Sequence, residues 1–170
     1  MNGLVRSLAD IALLRGDPSG LPSSWPSIAA FIVAYAAADF IVARIGHVQP
    51  VVARTVVDLA LTLPFFWLLL SIARRSHRFP QTVNASLGVY VLLSPVIVVL
   101  LLLRNAARSS EPVSLLIEAG FTAFMIWYLL ILGHILRSAL DTGLVTGFAI
   151  AVAWLVVSVA ISRSLFGPLA

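Results

Sequence analysis

The sequence predicts an all-α fold, a polytopic membrane bundle of five transmembrane helices preceded by a short amphipathic helix. Two observations lead to this prediction. Apolar residues make up 61% of the 170 residues and charged residues only 11%, which is too little polar surface for a water-soluble domain of this size. The apolar residues are also gathered into five long segments separated by short polar links. We therefore expect lipid to surround most of the chain.

Residues 3–15 have the spacing of a short amphipathic helix. Leu8 and Ile11 fall on one stripe with other apolar residues, whereas Arg6 faces away. Two placements fit this pattern, a helix lying on the membrane surface and a helix that caps the bundle, because both bury the same face. A turn-rich stretch follows, so residues 1–26 are predicted to form an N-terminal helix and linker.

The remaining domain, residues 27–170, contains five segments long enough to cross the hydrocarbon core. Each has about 17 to 24 residues, against roughly 20 needed for an α-helix. None alternates apolar and polar residues as a barrel strand does. A kink is expected where Pro64 interrupts the second segment. The predicted spans are 27–43, 51–73, 81–103, 113–136 and 142–161.

The arginines near the spans set the expected orientation. Six of them lie on the N-terminal side of the membrane and five, including Arg108, lie on the other side. The dense basic run at residues 74–78 sits in a short loop on the N-terminal side, which favours the cytoplasm for that side. The prediction is a bacterial inner-membrane protein with a cytoplasmic N-terminus and a periplasmic C-terminus.

Four residues form a first candidate polar layer, on the side opposite the N-terminus. Asp39 lies near the end of the first span, Arg54 and Asp58 near the start of the second, and Glu118 near the start of the fourth. Antiparallel helices bring these positions to the same level, and Arg54 and Asp58 share a helix face. The functional interpretation is a proton or ion relay, because carboxylates in a membrane are costly and often mark a pathway. The structural interpretation, favoured by the shallow depth, is a layer of salt bridges.

A second candidate polar layer is predicted on the cytoplasmic side. His134, Arg137 and Asp141 share one helix face if the fourth helix continues a turn past its span. A metal or headgroup site is one interpretation, but two histidines without a clear pair of carboxylates make a poor ligand set. A hydrogen-bonded helix end is the preferred alternative. The layer comprises His77, Gln81, Asn84, His134, Arg137 and Asp141.

The rest of the sequence limits the classes of function. There is no cysteine, which excludes disulfides and thiolate metal sites, and the net charge of +4 is not clustered as in a nucleic-acid-binding patch. No nucleophile turn, zinc-protease motif or phosphate-binding glycine loop is present, so neither an enzyme nor a cofactor is predicted. Gly143, Gly147 and Ala151 form a small-residue ridge, interpreted as packing within the bundle rather than as a dimer contact.

Two stretches of the chain resemble a known family. Residues 78–95, in which Gln81-Thr82 precedes a small-residue helix, are similar to the entry into the third span of the Yip family of five-helix membrane proteins, named for interaction with Rab-type GTPases. Residues 127–140 resemble the fourth span of that family, and the similarity extends over about residues 18–161. It implies a bacterial relative with a cytoplasmic N-terminus. The long N-terminal region of eukaryotic relatives is missing, so GTPase binding is not expected.

Three functions compete at this stage. The leading prediction is a non-enzymatic scaffold, assembly factor or accessory subunit that contacts lipids and either a membrane-protein partner or a second copy of itself. Its contacts would use the small-residue ridges and the N-terminal helix. The alternative is a small transporter or proton-coupled component using Asp39, Asp58 and Glu118. A third is a lipid-processing enzyme centred on His134 and the nearby arginines.

Overall fold

The computed structural model describes residues 2–107 and 111–167, and Arg108 lies outside them. Its described residues form α-helices joined by short links, with no strand. Five of the helices, α2 to α6, are long and apolar enough to cross a membrane, which confirms the predicted all-α bundle. The helices are α1 (Asn2–Ala12), α2 (Trp25–Ile45), α3 (Val51–Ile72), α4 (Phe79–Ala106), α5 (Glu111–Leu140) and α6 (Leu144–Phe166).

Several helices are longer than the predicted spans. Helix α5 begins at Glu111 and ends at Leu140, whereas hydropathy marked residues 113–136. Hydropathy detects only the part of a helix that lies in hydrocarbon, and the backbone hydrogen bonds continue past it into the polar interface. Helix α3 runs through Pro64 without an interruption, and the kink expected there stays a prediction.

Helix α1 caps the bundle. Its apolar stripe is buried, with Leu8 6% exposed and Ile11 fully covered, and it packs into a core formed with α4 and α5. Trp127 on α5 donates its indole N–H to the Ala12 carbonyl at 3.2 Å, at the end of α1. Of the two placements left open by the sequence, the capping one is therefore what the structure contains.

Helix α4 is the most enclosed of the long helices over its first turns. Residues 82–89 are all buried. Within this stretch, Asn84 donates its amide to the Pro22 carbonyl and to the Ser27 hydroxyl, both at 2.8 Å. Because a buried amide needs such partners, Asn84 attaches the linker and the start of α2 to the centre of the bundle.

Helices α5 and α6 cross at two glycines. A Cβ atom added to Gly133 would lie 2.8 Å from the Cα of Phe148, and one added to Gly147 would lie 2.9 Å from the amide nitrogen of Arg137 and would overlap the Gly133 carbonyl oxygen. Only glycine permits this approach of the two backbones. Gly147 and Ala151 are buried here, so the ridge is used inside the bundle, as predicted.

Candidate functional site

Two aspartates on neighbouring helices are held by hydroxyl groups inside the bundle. Asp39 on α2 accepts a hydrogen bond from the Tyr90 hydroxyl on α4 at 2.9 Å and another from the Thr55 hydroxyl on α3. Asp58 on α3 accepts a hydrogen bond from the Tyr35 hydroxyl on α2. These five residues are called the carboxylate–tyrosine cluster below. The cluster joins three helices through side-chain hydrogen bonds.

The helical spacing explains how the cluster assembles. Tyr35 and Asp39 are four residues apart on α2, and Thr55 and Asp58 are three apart on α3, so each pair shares a face of its helix. The short link between these antiparallel helices sets the two faces opposite each other. The rings of Tyr35 and Tyr90 then meet with centroids 4.6 Å apart, which brings α4 into the cluster.

The cluster extends deeper than the predicted layer. Tyr35 is the eleventh of the 21 residues of α2 and therefore its midpoint. Asp58 is bound to that residue and lies roughly 10 Å along the axis from the start of α3. Tyr35 is only 7% exposed. A charged carboxylate at such depth is unfavourable unless something compensates it, so the shallow-interface argument does not cover Asp58.

The predicted layer of salt bridges does not form around these aspartates. Arg54 donates instead to the Gln49 carbonyl at 3.0 Å, and its guanidinium lies 4.9 Å from the ring centroid of Phe166. The reason is geometric, because Arg54 sits in the first turn of α3 and can reach the loop and the end of α6. Among the described residues, no arginine or histidine contacts Asp39 or Asp58 within salt-bridge distance.

Glu118 is not part of the cluster. It forms an ion pair with Arg104 at 2.8 Å, between α5 and α4, and both side chains are about half exposed. Such an exposed pair contributes little to stability. The three acids predicted at one level are thus divided between a hydroxyl-bound pair in the interior and a separate surface ion pair.

A cavity of about 230 Å³ adjoins the cluster. Asp58, Tyr35 and Tyr90 line it, together with mainly apolar and aromatic residues from α3 to α6. Only Oδ2 of Asp58 accepts a hydrogen bond in the described structure. The other carboxylate oxygen has no such partner, so Asp58 retains hydrogen-bonding capacity beside an open space in the bundle.

Three of the six residues in the second predicted layer attach the N-terminal linker to the helices. His134 is within 2.8 Å of the Gly16 carbonyl through Nε2, and Gln81 donates to the Ser19 carbonyl at 3.2 Å. Asn84 binds the linker and the start of α2 as described above. These contacts give three residues of the predicted layer a structural role.

His134, Arg137 and Asp141 of that layer line one polar cavity of about 340 Å³ between the linker and the end of α5, whereas His77 does not line it. Asp141 accepts a hydrogen bond from Arg75 at 3.0 Å, and it lies just past the end of α5 with a positive φ of 60°. In the part of the chain that the structure describes, the side chains of His77 and Arg137 form no hydrogen bond, and no three His, Asp or Glu residues are placed to hold a metal.

The linker contains an acid, Asp17, that belongs to neither of the predicted polar layers. Its Oδ1 accepts the Ser19 backbone N–H at 3.0 Å and the Ser138 hydroxyl of α5 at 2.8 Å. The backbone hydrogen bond, aided by the hydroxyls of Ser138 and Ser19 and by the charge of Arg78, lowers the pKa of Asp17 against a smaller opposing effect of burial. The ionised carboxylate therefore stabilises the contact between the linker and α5.

The hydrogen bonds to Asp17 make the folding stability of the protein depend on pH. Because the pKa of Asp17 is lower in the folded state, its contribution is complete above the unfolded pKa, near 3.8, and is lost as the pH falls through the folded value. The unchanged protein should be more stable than Asp17→Asn at neutral pH, and this difference should shrink as the pH falls below about 3.8 and through the folded pKa. Thermal unfolding in detergent at a series of pH values measures it. Ser138→Ala, which removes one donor, should give an intermediate profile. Identical profiles for all three proteins would contradict this assignment.

Sequence reasoning found the two aspartates but missed Tyr35, Thr55 and Tyr90. The available signal was the placement of all three tyrosines of the chain, Tyr35, Tyr90 and Tyr128, inside predicted spans. Tyrosine in the interior of a membrane bundle needs a partner for its hydroxyl, and aspartate at four residues from Tyr35 supplies a nearby candidate. The pairing itself crosses between helices and required the structure.

Comparison with known proteins adds no family assignment. No protein-family model, no curated protein and no solved structure matches this chain. The Yip resemblance therefore stays a prediction. What is established is an integral membrane protein of five apolar helices, capped by α1, with a carboxylate–tyrosine cluster beside an internal cavity.

Proposed function

We propose that this protein is a small proton-coupled transport component in which Asp58 is the exchange site. The observation that carries the proposal is the hydrogen bond from Tyr35 to Asp58 beside the cavity, where none of the basic side chains that the structure describes contacts Asp58. A membrane carboxylate without a counterion is unfavourable as an anion. Binding of a proton or of a cation lowers the free energy of this carboxylate, so a proton and a cation can compete for the same oxygen atoms.

The surroundings of Asp58 support exchange. Tyr35 on α2 donates to Asp58, and Asp39 lies one helical turn after Tyr35 on the same helix. Tyr90 and Tyr128 line the same cavity as Asp58. Arg54 on the same helix is engaged with the Gln49 carbonyl and the end of α6. A second acid nearby disfavours two negative charges at once, and the tyrosine hydroxyls can donate to a carboxylate or accept from a carboxyl group.

The scaffold role is less well supported by the packing. Two of the surfaces predicted to serve it, the ridge at Gly147 and Ala151 and the apolar stripe of α1, are covered by other helices of the same chain. A third, the small-residue ridge of α2, is only partly covered, with Ala30 exposed and Ala34 and Ala38 half-buried. A role as subunit or scaffold, the inner-membrane location and the orientation of the ends stay predictions. The proposed activity makes and breaks one O–H bond at the Asp58 carboxylate, with the proton taken from and returned to water, and no cofactor is proposed.

The test is proton movement in proteoliposomes. Purified protein in vesicles carrying an internal pH dye should dissipate an imposed pH gradient, alone or with a co-substrate, faster than empty vesicles. Asp58→Asn keeps the shape of the side chain and removes its ability to bind a proton, so flux should fall to the level of empty vesicles. Glu118→Gln removes a carboxylate of the surface ion pair and should retain flux.

Two results would contradict the proposal. One is flux through Asp58→Asn equal to that of the unchanged protein. The other is absence of flux in every condition, and purification of a stable complex with another membrane protein would then favour the accessory-subunit function instead.

A further inference from the structure

The cavity beside Asp58 is rich in aromatic side chains. Seven of the residues that line it are aromatic, including all three tyrosines of the chain. Tyr128 meets Tyr90 edge to face with ring centroids 6.4 Å apart, and Trp154 stacks on Phe65 at 4.2 Å. Aromatic rings from α2 to α6 thus surround one space.

The charge in this space has a single sign. Asp58 is the one lining residue, among those the structure describes, whose side chain is ordinarily ionised at neutral pH, and no arginine or histidine lines the cavity. The faces of aromatic rings also carry negative electrostatic potential. Both features attract a cation and repel an anion.

The size of the cavity restricts the cation. Its volume of about 230 Å³ far exceeds one water molecule, at roughly 30 Å³, and lies just below the roughly 300 Å³ at which drug-sized sites begin. A bare metal ion would be poorly held, because hard cations need about six oxygen ligands and Asp58 with neighbouring hydroxyls offers fewer. Apolar and aromatic walls instead suit a cation that carries alkyl groups.

We propose that this cavity binds a small alkylated ammonium ion, with the aromatic rings around its alkyl groups and Asp58 as its counterion. Recognition of such ions by aromatic cages is the main functional use of cation–π attraction. The inference rests on the proposed function, because it names the class of cation that exchanges with the proton at Asp58. The hydroxyl of Tyr128, which makes no hydrogen bond within the described structure, is available to a hydroxyl-bearing substituent.

Binding of radiolabelled choline to the purified full chain in detergent tests this inference. The matched neutral probe is dimethylbutanol, in which a carbon atom replaces the quaternary nitrogen of choline. Choline should bind and dimethylbutanol should not. Asp58→Asn should weaken choline binding at least about tenfold and Trp154→Leu at least about threefold, while Glu118→Gln should bind as the unchanged protein does. Size-exclusion profiles would show that each variant is folded.

The outcomes separate this inference from the proposed function. Equal binding of the two probes, or no choline binding by a folded protein, overturns the cation site even if proton flux persists and depends on Asp58. Choline binding that depends on Asp58, without any proton flux, supports the cation site and removes the transport proposal. Displacement of choline by dispersed phosphatidylcholine, but not by phosphatidylglycerol, would identify a lipid headgroup rather than a free ion as the source of the ammonium group.

Discussion

Replacing Gly147 with leucine should prevent the bundle from folding stably. The first added atom would overlap the Gly133 carbonyl oxygen and lie 2.9 Å from the Arg137 nitrogen. Overpacking against side chains costs about 1–3 kcal/mol, and here the obstacles are backbone atoms that cannot rotate away. We expect a loss of more than about 3 kcal/mol, seen as aggregation on size-exclusion chromatography or as a much lower melting temperature.

Gly143 provides the matched control. It belongs to the same ridge, but a Cβ atom there would meet nothing within 4 Å, and its φ of −73° suits any residue. Gly143→Leu should therefore melt near the unchanged protein. If the two leucine variants behaved alike, the close crossing of α5 and α6 would not be what holds these helices together.

The second large effect is expected from a double-mutant cycle at the cluster. Asp58→Leu alone leaves the buried Tyr35 hydroxyl without its acceptor, which should cost about 1–3 kcal/mol. Tyr35→Phe in the same chain removes that hydroxyl, and the double variant should recover most of the loss. The coupling between the two positions should be of the order of 0.5–3 kcal/mol, measured by thermal unfolding in detergent.

This cycle also separates stability from function. The double variant replaces a polar pair by apolar groups of similar size, so it should be about as stable as the unchanged protein while showing no flux and no choline binding. Additive effects of the two substitutions would mean that the Tyr35–Asp58 contact contributes nothing. Retained flux in the double variant would remove Asp58 from the exchange mechanism.

Composition and segment length were sufficient to predict the five membrane helices, because a 20-residue apolar stretch has few alternatives to a helix in lipid. The placement of α1 was not predictable. Its apolar stripe would be covered equally well by lipid or by protein, and the burial of Leu8 and Ile11 against α4 and α5 is a tertiary contact that periodicity does not encode. Helix ends such as Glu111 and Leu140 lie in polar sequence beyond the hydropathy signal.

The candidate site could be predicted only in part, for a related reason. Asp39 and Asp58 were identified because ionisable residues are rare in the spans, but the helices are apolar on every side, so the pattern does not show which face meets which neighbour. Arg54 was placed on the face of Asp58 by its spacing, yet it turns toward α6. Glu118 has the same predicted depth as the aspartates and is oriented toward Arg104 on α4.

The two kinds of helix contact in this bundle respond differently to a proton. Where α5 crosses α6, shape alone locks the backbones, and no change in charge alters the fit. Where α2, α3 and α4 meet, three hydroxyl-to-carboxylate hydrogen bonds add to the apolar packing, and each of these bonds changes when its acceptor becomes neutral. Protonation can therefore alter the contacts among α2, α3 and α4 but not the crossing of α5 and α6. Any movement that accompanies protonation should arise among α2, α3 and α4.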